Sequence, residues 1–239
     1  MSNNRKTDEF LDLYKRLEAA AVKIVGPDTR GSVVFRLANH RAFADMKEEL
    51  DYCRDVRNLL AHEVKVQGEF PVCPSDAMLR FMEQVLARIE NPPRAMEHAT
   101  PLEKLVIATP ETPLLPLMRE MRRLSISHVP LLDDGRVTGV FSVDTVFWSV
   151  LEDGGVGVDE ETRVSRFQDY LPLNRHPANS FGFAAQDILL SDARDVFDRA
   201  YHRDRKMKML FLTKNGRDTE RLLAVLTPYD VLERKANDM

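Results

Sequence analysis

Apolar positions in the first third of the chain recur at intervals of three and four. From Asp8 to Val25 the residues Phe10, Leu11, Leu13, Leu17, Ala20, Ala21 and Ile24 form one stripe, which predicts an amphipathic helix ended near Gly26-Pro27. The same period runs from Arg41 to His62 through Phe43, Met46, Leu50, Cys53, Val56, Leu59 and Leu60. It returns from Ser75 to Ile89 through Met78, Phe81, Met82, Val85 and Leu86, with Ser75 placed as an N-cap. Residues 8 to 90 are therefore expected to form a small all-α bundle, and the breaker Asn91-Pro92-Pro93 closes this first domain at residue 93.

Beyond the breaker the pattern changes to short apolar runs alternating with helical periodicity. Strands are expected at Leu105-Ile107, Val129-Leu132 and Val137-Phe141, with helices from Pro113 to Leu124 and from Val143. The order β-α-β-β-α then recurs: a weaker strand near Ile188-Leu189, a helix from Ala193 to Tyr201, strands at Met209-Thr213 and Leu222-Leu226, and a helix from Pro228. An internal repeat explains this, with copies at 94–155 and 156–239 joined by the Gly-rich stretch 154–157. That stretch follows no nucleotide-binding strand, so it is a linker rather than a phosphate loop. The predicted class is α+β, an N-terminal helical bundle followed by a tandem β-α-β-β-α pair.

Aligning the copies places His128-Val129-Pro130-Leu131-Leu132-Asp133-Asp134-Gly135 over Phe211-Leu212-Thr213-Lys214-Asn215-Gly216, and Gly139-Val140-Phe141-Ser142 over Ala224-Val225-Leu226-Thr227. Each copy sets an Asp-Gly or Asn-Gly turn between two apolar strands, the strongest short-range hairpin signal. The run from Ser127 to Ser142 resembles the core of a CBS domain, with its Pro-Val-h-D-x-x-G hairpin and G-h-h-T ending. The run Leu223 to Leu232 resembles the same family's G-h-h-T-x-x-D-h-h ending. The resemblance covers more than half of the chain. It implies two repeats packed into one module, nucleotide clefts between them, and modules that pair into a disc, hence a homodimer.

The T-x-x-D spacing has a physical reason, since a threonine at a strand end and an aspartate in the next helical turn face one point beside a helix N-terminus. Their oxygens can accept from both ribose hydroxyls, while free amides suit a phosphate. Thr227 and Asp230 match this pattern, although the same two residues would equally serve simple N-capping with no ligand. In the first copy Ser142 stands for the threonine, Thr145 stands where the family has aspartate, and Asp144 carries the carboxylate one position early. One well-occupied adenine nucleotide (AMP, ADP or ATP) per chain is expected, at the second copy; S-adenosylmethionine or a cyclic dinucleotide are alternatives. The adenine is expected against Ala108 or Thr109 and Leu190. The phosphates are expected at the basic run 202–208, with Arg205 and Lys206, backed by Arg122 and Arg123 of the first copy.

The helix from Arg41 ends in Arg57-Asn58-Leu59-Leu60-Ala61-His62, which resembles the R-N-x-x-x-H signature of HEPN domains, helical bundles found in RNases and toxins. That resemblance implies either a noncatalytic interaction domain or a nucleotide-gated RNase. In the second case His62 works as base, Arg57 as the phosphate cation and Asn58 as the group orienting the imidazole, without a metal. The target is then an RNA or a protein. Within the bundle the same three residues also suit ordinary hydrogen bonding and closure of a helix C-terminus.

Composition narrows the field from outside. With 34 basic and 38 acidic residues the chain has a formal net charge of −4, so any polyanion must be met by a local patch rather than by the whole-molecule field. The two cysteines, Cys53 and Cys73, have no Cys or His at zinc-ligand spacing, which predicts neither a disulfide framework nor a structural metal and suits a reducing cytoplasm. A polar N-terminus and the lack of any apolar run of about 18 residues predict no signal peptide and no membrane span. His40, His98 and His176 stand alone and are expected to be surface or loop residues.

Overall fold

The computed structural model describes residues 3–27, 31–62, 70, 72–154, 157–201 and 206–232, the side chains of 3, 62, 153 and 232 excepted. The chain divides into two compact units, Met1–Pro93 and Arg94–Met239.

In the first unit α1 (Asn3–Val25), α2 (Val33–Ala38), α3 (Lys47–His62) and α4 (Asp76–Glu90) bury their apolar stripes against one another. Phe10, Leu17, Leu37, Leu50 and Met82 are fully enclosed. Ser75 caps α4 as expected, its hydroxyl accepting from the Met78 N–H at 3.2 Å. The helix expected from Arg41 is interrupted: Arg41–Met46 is a 3-10 segment in which Phe43 leaves helical geometry (φ −127°, ψ 15°). The reason is local, because the Phe43 ring is pulled into the core and the His40 imidazole accepts from the Ala42 N–H. The six-residue α2 is too short to show a period in the sequence.

The second unit carries β1 (Thr100–Pro101), α5 (Leu114–Leu124), β2 (His128–Asp133), β3 (Arg136–Ser142), α6 (Val143–Asp153), β4 (Phe181–Ala185), α7 (Leu190–Tyr201), β5 (Met209–Thr213), β6 (Leu222–Leu226) and α8 (Pro228–Leu232). They form a four-stranded sheet in the order β1-β6-β5-β4 and a two-stranded sheet β2-β3. β4 and β5 are parallel, and the other pairs are antiparallel. Two expected strands are corrected. Leu105-Ile107 is not a ladder strand; only Ala108 after it bridges Leu131, and Pro110, which has no N–H, stops any extension. Ile188-Leu189 belongs to the turn entering α7, where the Ile188 N–H donates to the Ala185 carbonyl, so the strand lies earlier, at β4.

The apolar runs of β5 and β6 are continuous because both of their faces are covered. Leu210, Leu212, Ala224 and Leu226 pack with Ala193 and Phe197 of α7, whereas Phe211, Leu222 and Val225 cluster with Leu132, Val137 and Val140 of the first hairpin. The two hairpins also meet at their tips. Leu222 N–H donates to the Gly135 carbonyl, and Arg221 pairs with Asp134 at 2.8 Å. In the longer second hairpin Glu220 accepts from Asn215 and Thr213, and these bonds hold its carboxyl down at about 2. No helix among the described residues is long and apolar enough to cross a membrane.

Candidate functional site

Strand ends and helix ends of the second unit enclose a cavity of about 800 Å3. One wall is the stretch from Leu124 to Pro130, where α5 stops and β2 begins. Ser125 ends α5 in the left-handed region (φ 55°), which turns the chain sharply and brings Ser127 and His128 to the cavity. The opposite walls come from Thr100 and the 104–106 segment, from Arg194, Phe197, Asp198 and Tyr201 of α7, from the 206–209 stretch, and from the end of β6 with Thr227, Pro228, Tyr229 and Val231.

Thr227 lines this cavity, and Asp230, which is not one of the lining residues, is bonded to it. The backbone N–H and the hydroxyl of Thr227 donate to Asp230 Oδ2 at 2.6 and 2.8 Å, so Oδ1 is the oxygen the carboxylate has to offer a ligand. Asp230, the third residue of α8, thus reaches back to the residue before the helix, which is the half of a capping box that an N3 carboxylate supplies. Among the described residues, Lys104, Arg194, Lys206 and Lys208 line the cavity with one exposed carboxylate, Asp198. Apolar surface is supplied by Val106, Ile126, Phe197, Met209 and Val225. The His128 ring is half-buried, its Nδ1 lies 2.8 Å from Ser127 Oγ, and it meets the edge of Phe181 at 5.9 Å.

The other expected site residues fall into different surroundings. Ser142 and Thr145 are fully buried and closed on each other in a capping box: Ser142 N–H donates to Thr145 Oγ1 at 3.0 Å, and Thr145 N–H to Ser142 Oγ at 3.2 Å. Ala108 is buried in its bridge to β2, Thr109 is exposed and bonded to Thr112, and Leu190 is buried beneath the four-stranded sheet. Arg122 and Arg123 are exposed on α5 away from the cavity, the latter paired with Glu120 at 2.6 Å. Of the basic run, Lys206 and Lys208 reach the cavity, while 202–205, including Arg205, lie outside the described residues.

In the helical unit the Arg57 guanidinium lies over the Tyr14 ring at 5.5 Å, 4.0 Å from Glu18, and donates to Asn58 Oδ1 at 3.3 Å. Asn58 itself is exposed, and the side chain of His62 lies outside the described residues. Two of the three isolated histidines are more engaged than expected. His40 caps the 3-10 segment, and His176 is half-buried, with Nε2 3.1 Å from the Val140 carbonyl and its ring on Phe181. No cluster of three or more His, Cys, Asp or Glu suited to a metal occurs among the described residues.

Arg194, Lys104 and the Ser125–His128 turn were not visible as site residues in the sequence. They come from segments far apart along the chain, and the available signal was only their nearness to the motif strands.

Residues 99–152 match the CBS domain family model. That span is less than a quarter of the chain. No curated protein matches the sequence. Among solved structures, the chain is similar to an uncharacterized conserved protein from Pyrococcus horikoshii at 20% identity, covering 62% of this chain and 95% of that one with a TM-score of 0.42. It is also similar to CBSX2 from Arabidopsis thaliana in complex with AMP, at 15% identity, 58% and 93% coverage and a TM-score of 0.40. A third is a CBS domain pair in complex with 5′-methylthioadenosine and S-adenosyl-L-methionine, at 10% identity, 58% and 91% coverage and a TM-score of 0.39.

Proposed function

We propose that the second unit binds an adenine nucleotide of the AMP, ADP or ATP class in the cavity beside Thr227. On this reading the chain is a sensor, whose nucleotide occupancy regulates the HEPN-like helical unit as an interaction module within a homodimer. One observation carries it: a single cavity joins apolar walls for a base, Thr227 with Asp230 bonded to its hydroxyl for a ribose, and four cationic side chains for phosphate. The CBS domain match over 99–152 supports it, because that segment supplies the wall from Leu124 to Pro130. The stoichiometry is one nucleotide per chain, since Ser142 and Thr145 spend their hydroxyls on their own capping box. The ribonuclease alternative gains no support from Arg57, whose guanidinium is engaged with Tyr14 and Glu18 inside the bundle.

The test is calorimetric titration of the purified chain with AMP, ADP and ATP, alongside Asp230→Asn and Asp230→Ala. Asparagine keeps a side-chain oxygen that can accept from the Thr227 N–H and hydroxyl, so Asp230→Asn retains that local bonding yet loses the charge-assisted bond to ribose, weakening binding roughly tenfold. Asp230→Ala loses both. If the wild type binds no adenine nucleotide below about millimolar concentration, the sensor reading falls.

A further inference from the structure

Arg194 sits in the second turn of α7, and its side chain reaches the cavity wall. Its Nη2 donates to the Val231 carbonyl in α8 at 2.8 Å. Its Nε is buried and has no hydrogen-bond partner. A guanidinium is a planar fork of donors that matches the oxygens of a phosphate, and a buried donor left unpaired carries a desolvation cost that a suitable acceptor removes. One Nη donor is spent on a main-chain carbonyl and the Nε donor is idle, in a side chain that lines a cavity which Lys104, Lys206 and Lys208 already make attractive to anions.

We infer that Arg194 is the specificity-determining residue that reads the phosphate of the bound nucleotide, and that it does so by exchanging the Val231 carbonyl for phosphate oxygens. The inference rests on the adenine-nucleotide reading and deepens it. The bond to Val231 holds α8, the helix that contains Asp230. When a nucleotide enters, its phosphate satisfies Nε together with the Nη donors, and the hold on Val231 is released. Phosphorylated and unphosphorylated ligands are thereby told apart, and the same event frees the segment that carries the ribose partner. A neutral ligand offers no such exchange and leaves α8 tied.

The experiment compares AMP with adenosine on the full-length chain, by calorimetry, for the wild type, Arg194→Ala and Arg194→Gln. Glutamine retains an amide donor for the Val231 carbonyl while lacking both the charge and the fork, so it keeps the comparison valid if the alanine variant folds poorly. The expected result is a wild type that prefers AMP over adenosine by roughly tenfold or more, and variants in which that preference disappears while adenosine affinity stays within about twofold. If the variants weaken AMP and adenosine by the same factor, Arg194 merely supports α8, and the inference is overturned while the nucleotide reading stands. If the variants retain the preference for AMP, the phosphate is read elsewhere and the inference is likewise overturned. A wild type that binds neither compound removes both.

Discussion

A histidine ring packed beside a cation resists protonation, and His128 is in that position. Burial first, and the Lys208 ammonium second, hold its imidazole down to about 4; the Asp144 carboxylate pulls the other way, and His176 adds to the depression. In the unfolded chain the same group titrates near ~6.5. Between those values the unfolded state binds a proton that the folded state refuses. Stability is therefore full above about pH 6.5 and declines as the pH falls toward 4, by up to about 2 kcal/mol from this residue at pH 5. Burial lowers His176 in the same direction, so replacing His128 alone removes part of the effect. The expected outcome for His128→Gln is a smaller difference in urea midpoint between about pH 7.5 and pH 5 than the wild type shows, and an unchanged difference would count against the assignment. At this scale the sequence carried Thr227 and Asp230, because their spacing of three is a local rule that needs no fold. It carried nothing of the unpaired Arg194 Nε or of the depressed His128, since both properties are created by neighbours from distant segments.

The repeat's turns and strand pairs were legible in Asp134-Gly135 and Asn215-Gly216, where glycine adopts a positive φ at each hairpin. Less legible was why Gly139 interrupts an otherwise bulky strand. A Cβ at that position would lie 2.5 Å from the carbonyl oxygen of Leu171, the same oxygen that accepts from the Val140 N–H at 2.9 Å. The backbone at Leu171 thus runs directly against β3, and only glycine lets the two backbones meet. Gly139→Ala is expected to cost about 1–3 kcal/mol by chemical denaturation, because the obstacle is backbone that cannot swing aside as a side chain would. Gly157→Ala, with nothing within 4 Å of its added carbon, serves as the control and should stay within about 0.5 kcal/mol. Phe181–Ala185 contains a glycine, two alanines and no β-branched residue, so propensity understates it, whereas Ile188-Leu189 has the composition of a strand but the geometry of a turn.

For the molecule as a whole, the sequence resolved two chemically different units and a modest net charge, but left the assembly to be argued from surface. Val143, Phe147, Val150 and Leu151 fall at i, i+4, i+7 and i+8 on α6, and together with Trp148 they are between 43% and 60% exposed. The opposite face of the same helix is spent inward through Thr145 and Ser149, so the outer face has no partner within the described residues of its own unit. An exposed apolar stripe of this kind marks an interaction surface, and a two-fold pairing of identical helices covers it on both copies at once. Covering ten such side chains, five from each copy, removes their apolar surface from water and favours that pairing. Phe147→Glu and Leu151→Glu place charges in that seam and are each expected to weaken the dimer by roughly a hundredfold or more, with the fold intact. Light scattering decides the mass. Trp148, the chain's one tryptophan, reports the same event through its emission, which should shift to the red as the wild type is diluted or the variants are made. A wild type with the mass of one chain even at about 100 μM would mean that the stripe does not bind a second copy.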